Sequence, residues 1–505
     1  MRDPWGFLDE QAKVLVTLMV CVVVAAHLIS WIYAPYNGDE GIYLYASRLV
    51  MEGKLLYRDT FFHQYPLMPY FYGGVLEPLG GGLYLGRLLS VVLGLSAFLL
   101  LLPVARAVVG EGGAAAYAIL FGLNFWAISN LVRVKHYALT AFLLCLGAFF
   151  LLAYAGRKSV RIVGALLAFA LAASSRISTL PVVFIACAYL LRREREDPAA
   201  IRLTWATFVC SLALIFAYGL FVPLSKMLYG TLGLALSNYE RRGVYRYFTW
   251  QLRVFRGLVI FRIPSMAILL LLGLRQIAPQ WRDRIRSAWS APSPTAFLAA
   301  VSLTLFIVHF YVGHVHEDYH VNYLGLVAIL AAQAFRGLAE EARRRNRVLA
   351  FSHLSLFLAV LTIFTGVRYG FFKKDAFQVP STLPAYYAEA DILARRTSSR
   401  GAEILGLTPI VPYLARRELA HGLEYRVDTY RPDVSDEEAR AGNFMNAPQA
   451  KRLILSRRAQ AVEEKFLLRY LRESDSDGSV AAAIQEFYEK EGGYYYLRSP
   501  ARQPG

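Results

Sequence analysis

The sequence predicts a mainly α-helical, polytopic membrane protein, and three observations carry that expectation. Hydrophobic residues make up 56% of the 505-residue chain and aromatics 14%, a share that a soluble protein of this size rarely reaches. The apolar residues fall in runs of bilayer-crossing length, and the first, Val14 to Ala34, carries no formal charge. The net charge of +17 gathers in alternate loops. That is the pattern of Lys and Arg held on the cytoplasmic side, and it argues against a nucleic-acid partner.

About eleven runs have suitable length. In order they are Val14–Ala34, Leu83–Val104, Ala114–Leu131, Tyr137–Ala155, Ile162–Ala173, Leu180–Leu191, Leu203–Leu224, Leu258–Leu274, Ala296–Val312, Val321–Ala334 and Val348–Val367. The fifth and sixth are short and read as a tight hairpin through Ser174-Ser175-Arg176. No small-residue cleavage site precedes Tyr36-Asn37, so the first run reads as a retained signal anchor. Cys21, Cys145, Cys187 and Cys210 all lie inside apolar runs, without zinc spacing, and read as small core residues. The expected division is a transmembrane domain over 1–370, with an outer loop at 35–82, and a C-terminal α/β domain over 371–505. In that tail Ala402 to Leu407 and Lys451 to Leu455 read as strands, and Pro409 to Glu418 and Ala481 to Lys490 as helices.

Charge sets the orientation. Arg157-Lys158 with Arg161, Arg192-Arg193-Glu194-Arg195, Arg275 with Arg282 to Arg286, and Arg343-Arg344-Arg345 with Arg347 occupy one set of loops; these belong in the cytoplasm. The Asp39-Glu40 loop, the Lys226–Arg256 loop, the Gly313–His320 loop and the tail then face outward. One outer loop violates the rule. Between Ser225 and Arg256 it carries Arg241, Arg242, Arg246, Arg253 and Arg256 among Tyr239, Tyr245, Tyr247, Phe248 and Trp250. Two readings stand: cations that meet a lipid phosphate, or an interfacial amphipathic helix with snorkelling arginines.

Asp39-Glu40 sits where the chain leaves the first span. Carboxylates at a membrane boundary are costly to desolvate. One of them is a candidate general base on a hydroxyl, and the plain alternative is Asp39 as the cap of a helix through Tyr43 and Ala46. The stretch continues as Asp39-Glu40-Gly41-Ile42-Tyr43-Leu44-Tyr45, then Gly53-Lys54-Leu55-Leu56-Tyr57-Arg58-Asp59, His63-Gln64-Tyr65-Pro66-Leu67, and Arg87-Leu88-Leu89-Ser90. This order resembles the N-terminal part of GT-C-fold glycosyltransferases, nearest the protein O-mannosyltransferase and aminoarabinose transferase group. Tyr65 stands where that pattern has a first proline, and His63-Gln64 where a charged pair is usual.

The resemblance implies a polyprenyl-phosphate-linked sugar as donor, inversion at the anomeric carbon, and a glycan, lipid or protein acceptor. It implies a plasma-membrane enzyme of a bacterium or archaeon with its active site facing outward. Asp39 takes the base position, Glu40 its neighbour, and Asp59 matches the second acidic position. Such a reaction needs a carboxylate to accept the hydroxyl proton and cations to hold the departing phosphate. Span-end candidates for the phosphate are Arg87, Arg133 beside Lys135, and above all Arg176, with Arg241 and Arg242 in the basic loop; each has a snorkelling alternative. His316, Glu317, Tyr319 and His320 form a second polar cluster with His314 and Asp318. Their spacing fits no standard metal motif, so donor contact is favoured while a divalent metal stays open. The competing class is a transporter or flippase of lipid-linked glycans. Transporters place polar groups near the midplane and repeat their halves; here the ionisable residues gather at span ends and no repeat is evident.

Overall fold

The computed structural model describes residues 4–233, 244–277, 293–311, 316–370, 382–398, 402–425, 429–471 and 474–498. They form two units: Met1–Pro35, Arg87–Tyr218 and Leu232–Phe377 make the first, and Tyr36–Gly86, Gly219–Thr231 and Gln378–Gly505 the second.

Among the described residues the first unit is mainly helical, and each of the eleven apolar runs lies largely on a helix or a bent pair of helices. Among the described residues six helices are long and apolar enough to cross a membrane: Glu10–Tyr33, Leu83–Val109, Lys158–Ser175, Pro198–Leu220, Glu317–Arg344 and Val348–Thr365. With two bent pairs the number is up to eight if each pair is one span. Shorter apolar helices, His136–Leu152 and Pro294–Phe310, add to these, so full-length spans are fewer than the run count. The third run shows one reason. It breaks after Gly122, where Asn124 accepts a hydrogen bond from the Ala127 amide at 3.1 Å and starts a new helix, Phe125–Leu131, at 69° to the last. The fifth and sixth runs are the expected hairpin, with Ile177–Thr179 as a single tight turn between Lys158–Ser175 and Leu180–Arg193. Phe98, Tyr117 and Phe121 stack at 5.7 to 6.0 Å in the interior, where offset ring pairs add to simple burial.

The second unit holds the helix Gly38–Met51, the helix Leu67–Leu76 and a five-stranded sheet. The strands are β1 Glu403–Leu405, β2 Glu418–Leu419, β3 Ala459–Glu463, β4 Tyr488–Glu491 and β5 Tyr494–Leu497, in the order β2-β1-β3-β5-β4. β1 runs parallel to both β2 and β3, and β3, β5 and β4 are successively antiparallel. Leu405, Leu423, Tyr430, Ile454, Val462, Phe466 and Ile484 make its core.

Three expectations for this tail need correction. Lys451 to Leu455 is the end of a helix, Ala447–Leu455. Asn446 and Gln449 form a capping box there with Pro448 in the first turn, and these override the strand-like Leu453-Ile454-Leu455 run. The helix begun at Pro409 covers only Ile410–Ala415, because Arg416 takes a left-handed φ of 52° and Glu418 pairs in β2. The last helix is Ser479–Phe487, and Tyr488 to Lys490 belongs to β4.

Candidate functional site

In the second unit the Asp39 carboxylate stands in the first turn of Gly38–Met51. The cap is Asn37, not Asp39. The Asn37 side chain accepts from the Asp39 amide at 3.0 Å, and Glu40 Oε1 accepts from the Asn37 amide at 3.0 Å. Asn and Asp are near-equal caps, and the residue three places before a Glu is the one that closes the box. This separates the acidic pair. Glu40 is wholly buried and committed to the backbone, whereas Asp39 is half-buried with its carboxylate one position from the helix start.

The helix is seated firmly. A Cβ on Gly41 would stand 2.8 Å from the Ile410 amide nitrogen. Arg48, nearly fully buried, donates to the carbonyls of Pro412, Tyr413 and Arg417 at 3.2, 3.3 and 2.6 Å and pairs with Glu52 at 3.3 Å. The Leu419 amide donates to the Tyr45 hydroxyl at 2.7 Å. Asp59 closes its own loop, accepting from the Leu55 amide at 2.8 Å and from Arg58 Nε at 2.8 Å. The Arg58 guanidinium holds its carboxyl below the usual carboxylate range. His63 sits among aromatics, bonded through Nε2 to the Tyr425 hydroxyl at 2.9 Å and in ring contact with it at 4.5 Å.

In the first unit a second cluster forms around Arg176, which is 5% exposed. It terminates the Lys158–Ser175 helix in an extended conformation, turning its side chain away from the helix path. Nε donates to Ser178 Oγ at 3.0 Å and Nη1 bonds His136 Nε2. The Tyr319 ring lies 4.1 Å from the guanidinium carbon and the Tyr137 ring 5.8 Å. Ser178 bonds His309 Nε2 at 2.8 Å, and His320 Nδ1 bonds the Tyr323 hydroxyl at 2.5 Å. His309 contacts Tyr319, His320 and Tyr323 within 6.2 Å. Among the described residues Arg176 forms no ion pair and two of its N–H groups have protein acceptors. A buried guanidinium without a carboxylate is an incomplete arrangement, because a desolvated charge requires a counter-charge.

The other expected residues divide by role. Arg87 donates to the carbonyls of Ala34 and Pro35 at 2.8 and 3.3 Å, capping the first span. Arg133 bonds Asn130 Oδ1 at 3.0 Å. Glu317 pairs with Arg262 at 2.5 Å, and His316 lies exposed with its ring 5.7 Å from Tyr319. Thus Arg176, Tyr319 and His320 come together, with His316 and Glu317 at the edge. Arg241, Arg242 and His314 lie outside the described residues. Among the described residues no group of three or more His, Cys, Asp or Glu stands close enough to hold a metal ion.

Sequence reasoning missed His136, Ser178, His309, Tyr323 and Arg48. His309 carried a usable signal as a lone imidazole in an apolar run. Arg48 carried another as a cation within an otherwise apolar helical pattern.

The comparisons with solved structures give the chain a GT-C-like fold over nearly its whole length. Among solved structures it is similar to ArnT from Cupriavidus metallidurans bound to undecaprenyl phosphate, with a TM-score of 0.61 and 15% identity over 96% of this chain and 98% of that one. It is also similar to the Archaeoglobus fulgidus oligosaccharyltransferase tethered with an acceptor peptide, with a TM-score of 0.57 and 11% identity over 97% of this chain and 74% of that one. A third likeness is to AglB from Archaeoglobus fulgidus in complex with an inhibitory peptide and a dolichol-phosphate, at a TM-score of 0.54 and 11% identity over 99% and 75%. No protein-family model matches the sequence, and no curated protein matches it.

Proposed function

We propose that the chain is an inverting glycosyltransferase that moves a sugar from a polyprenyl-phosphate donor to an acceptor hydroxyl at the outer membrane face. The observation that carries this reading is Arg176, a buried cation lacking a carboxylate among the described residues. A phosphate monoanion or dianion supplies the missing counter-charge, and the guanidinium offers it a planar fork of donors. The fold supports the same reading, since one similar structure holds undecaprenyl phosphate and another a dolichol-phosphate.

In this reaction Asp39 accepts the proton of the acceptor hydroxyl. The hydroxyl oxygen forms a bond to the anomeric carbon from the face opposite the phosphate. The bond between that carbon and the phosphate oxygen breaks, and its electron pair leaves on the polyprenyl phosphate. Back-side attack inverts the centre. Glu40 orients the helix start that carries Asp39. Arg176 holds the departing phosphate, with Tyr319 fixing the guanidinium plane by stacking.

The test is transfer from radiolabelled polyprenyl-phosphate sugars by the purified full chain, alongside Asp39→Asn. Asparagine keeps the shape and removes the basicity, so turnover falls by at least ~10²-fold while donor binding is largely retained. Absence of transfer from every such donor by the unaltered chain overturns the enzyme reading. Near-normal turnover in Asp39→Asn overturns the base assignment alone.

A further inference from the structure

In the second unit the helix Thr382–Arg396 meets the β4–β5 hairpin through ion pairs. Arg396 pairs with Glu489 at 2.9 Å and Glu491 at 3.2 Å, and Lys490 pairs with Glu464 at 2.5 Å. Those carboxylates take up the two cations. Glu389 and Glu463 have none: among the described residues neither forms an ion pair. Glu463 is 6% exposed. Its Oε2 accepts from the Leu407 amide and its Oε1 from the Thr408 hydroxyl, both at 2.5 Å, and both donors are neutral. Burial and the Glu463 charge hold the half-buried Glu389 carboxyl above the usual carboxylate range.

The two carboxyls belong to one place. Glu463 stands directly opposite Tyr494 in the antiparallel β3–β5 pair, so their side chains share a sheet face. The Gly493 carbonyl accepts from the Glu464 amide at 2.9 Å, and a Cβ on Gly493 would stand 3.0 Å from Glu389 Oε1. A Cβ on Gly406 would stand 3.0 Å from Glu463 Oε2. Glycines thus leave room beside both carboxylates. Tyr494 is 1% exposed, and its hydroxyl has no hydrogen-bond partner among the described residues. Burial, then the charges of Glu463 and Glu389, push that hydroxyl well up. β1 and β3 run parallel, Glu463 ends β3 and Gly406 follows β1. The carboxyl ends of parallel strands are where open α/β sheets take ligands.

A buried and a half-buried carboxylate side by side, with no cation, are a costly arrangement. One proton neutralises one of them and leaves the other. A divalent cation neutralises both and gives the Tyr494 oxygen a partner. Every donor here is an oxygen, which suits a hard ion. We propose that Glu389, Glu463 and the Tyr494 hydroxyl bind one Ca2+, which fastens the Thr382–Arg396 helix to the sheet. The carboxylates come from separate segments, a set that the flexible shell of Ca2+ accommodates more readily than the strict octahedron of Mg2+. Bound through both oxygens they supply roughly four of its six to eight ligands, and water with the Tyr494 hydroxyl supplies the rest. The site is independent of Asp39 and Arg176 and stands whether or not the chain is an enzyme.

Melting of the full chain in detergent reads this. The protein is stripped with EDTA and titrated with CaCl2, or with KCl at matched ionic strength. Tm rises with Ca2+, half-maximally at about 0.1 to 1 mM, the range of sites with few charged ligands, and does not rise with K+. Glu389→Gln abolishes the rise. Glu389 is half-buried and makes no hydrogen bond among the described residues, so this variant keeps the fold. Tyr494→Phe raises Tm in the absence of Ca2+, because an unpaired buried hydroxyl is removed, and reduces the response to Ca2+. Tb3+ bound in place of Ca2+ luminesces under tyrosine excitation; the signal is displaced by Ca2+ and is lost in Glu389→Gln. A Tm of the unaltered chain that ignores Ca2+ overturns the proposal, as does a Ca2+ response retained in Glu389→Gln. A rise in Tm from pH 7 to pH 5 with none from Ca2+ also overturns it and gives the pair a proton instead.

Discussion

At the scale of single residues, the proposed division between positioning and chemistry is drawn from the bonds each polar group makes. Glu40 accepts from the Asn37 amide and Arg87 donates to two backbone carbonyls, while Asp59 closes its own loop. Arg176 is held in orientation by Ser178, His136 and Tyr319 but not neutralised by them. A charge-assisted hydrogen bond contributes about 1.5 to 3 kcal/mol, so Arg176→Ala is expected to raise the donor KM by roughly 10- to 100-fold. Arg176→Lys keeps the charge without the fork and falls between. Thermal stability without donor does not fall in Arg176→Ala, because a buried cation is removed along with its desolvation penalty. A lowered melting temperature with unchanged donor KM makes Arg176 a structural residue instead. The acidic pair was legible in the sequence as a boundary feature, and Asn37 was visible two places ahead of Asp39. The different bonding of its two carboxyls was not, because a capping box shows only once the helix start is placed.

At the scale of elements, the Gly38–Met51 helix owes its position to Gly41 and Arg48. In an ordinary exposed helix Gly→Ala is stabilising, by up to about 1 kcal/mol. Here the new methyl would meet the Ile410 amide nitrogen at 2.8 Å and the Tyr36 hydroxyl at 2.6 Å. Backbone yields little, so overpacking of about 1 to 3 kcal/mol reverses the sign. Gly41→Ala is expected to lower the melting temperature of the full chain in detergent. It also lowers turnover with donor KM nearly unchanged, since Asp39 lies two residues away. A raised melting temperature shows that the close approach at Gly41 does not exist. Helix existence was well read from sequence, since apolar runs of this length leave few alternatives. Helix ends were not. The break at Asn124 and the left-handed stop at Arg416 depend on single capping residues, and the strand at Ala459 to Glu463 was displaced onto its neighbour because Leu453-Ile454-Leu455 mimics a buried strand.

At the scale of the whole molecule, the charge pattern and the ion pairs of the membrane unit agree on which helix ends belong together. Lys158 pairs with Asp197 at 2.7 Å and Arg161 with Glu194 at 2.6 Å, joining two loops that the positive-inside rule puts on one side. Arg193 donates to the Leu151 carbonyl at 2.9 Å, bringing a third helix end to them. His136, Arg176, Ser178 and His309 lie at the other ends of helices in the same bundle. This partition was legible in the sequence because it needs only loop charges and parity, whereas the side chains that meet around Arg176 come from four separate segments and no spacing relates them. The absolute sidedness is an expectation drawn from the basic loops alone. A cysteine at Glu196, which is 87% exposed in its basic loop, is therefore expected to react with a membrane-impermeant maleimide only after permeabilisation. A cysteine at Ser398, exposed in the C-terminal unit, is expected to react in intact cells. The unaltered chain serves as the background for Cys21 and Cys210, both exposed on apolar helices. The reverse pattern inverts the topology and moves Asp39 and Arg176 to the cytoplasmic face. Labelling of both positions in intact cells breaks the parity and requires one fewer or one more crossing between them.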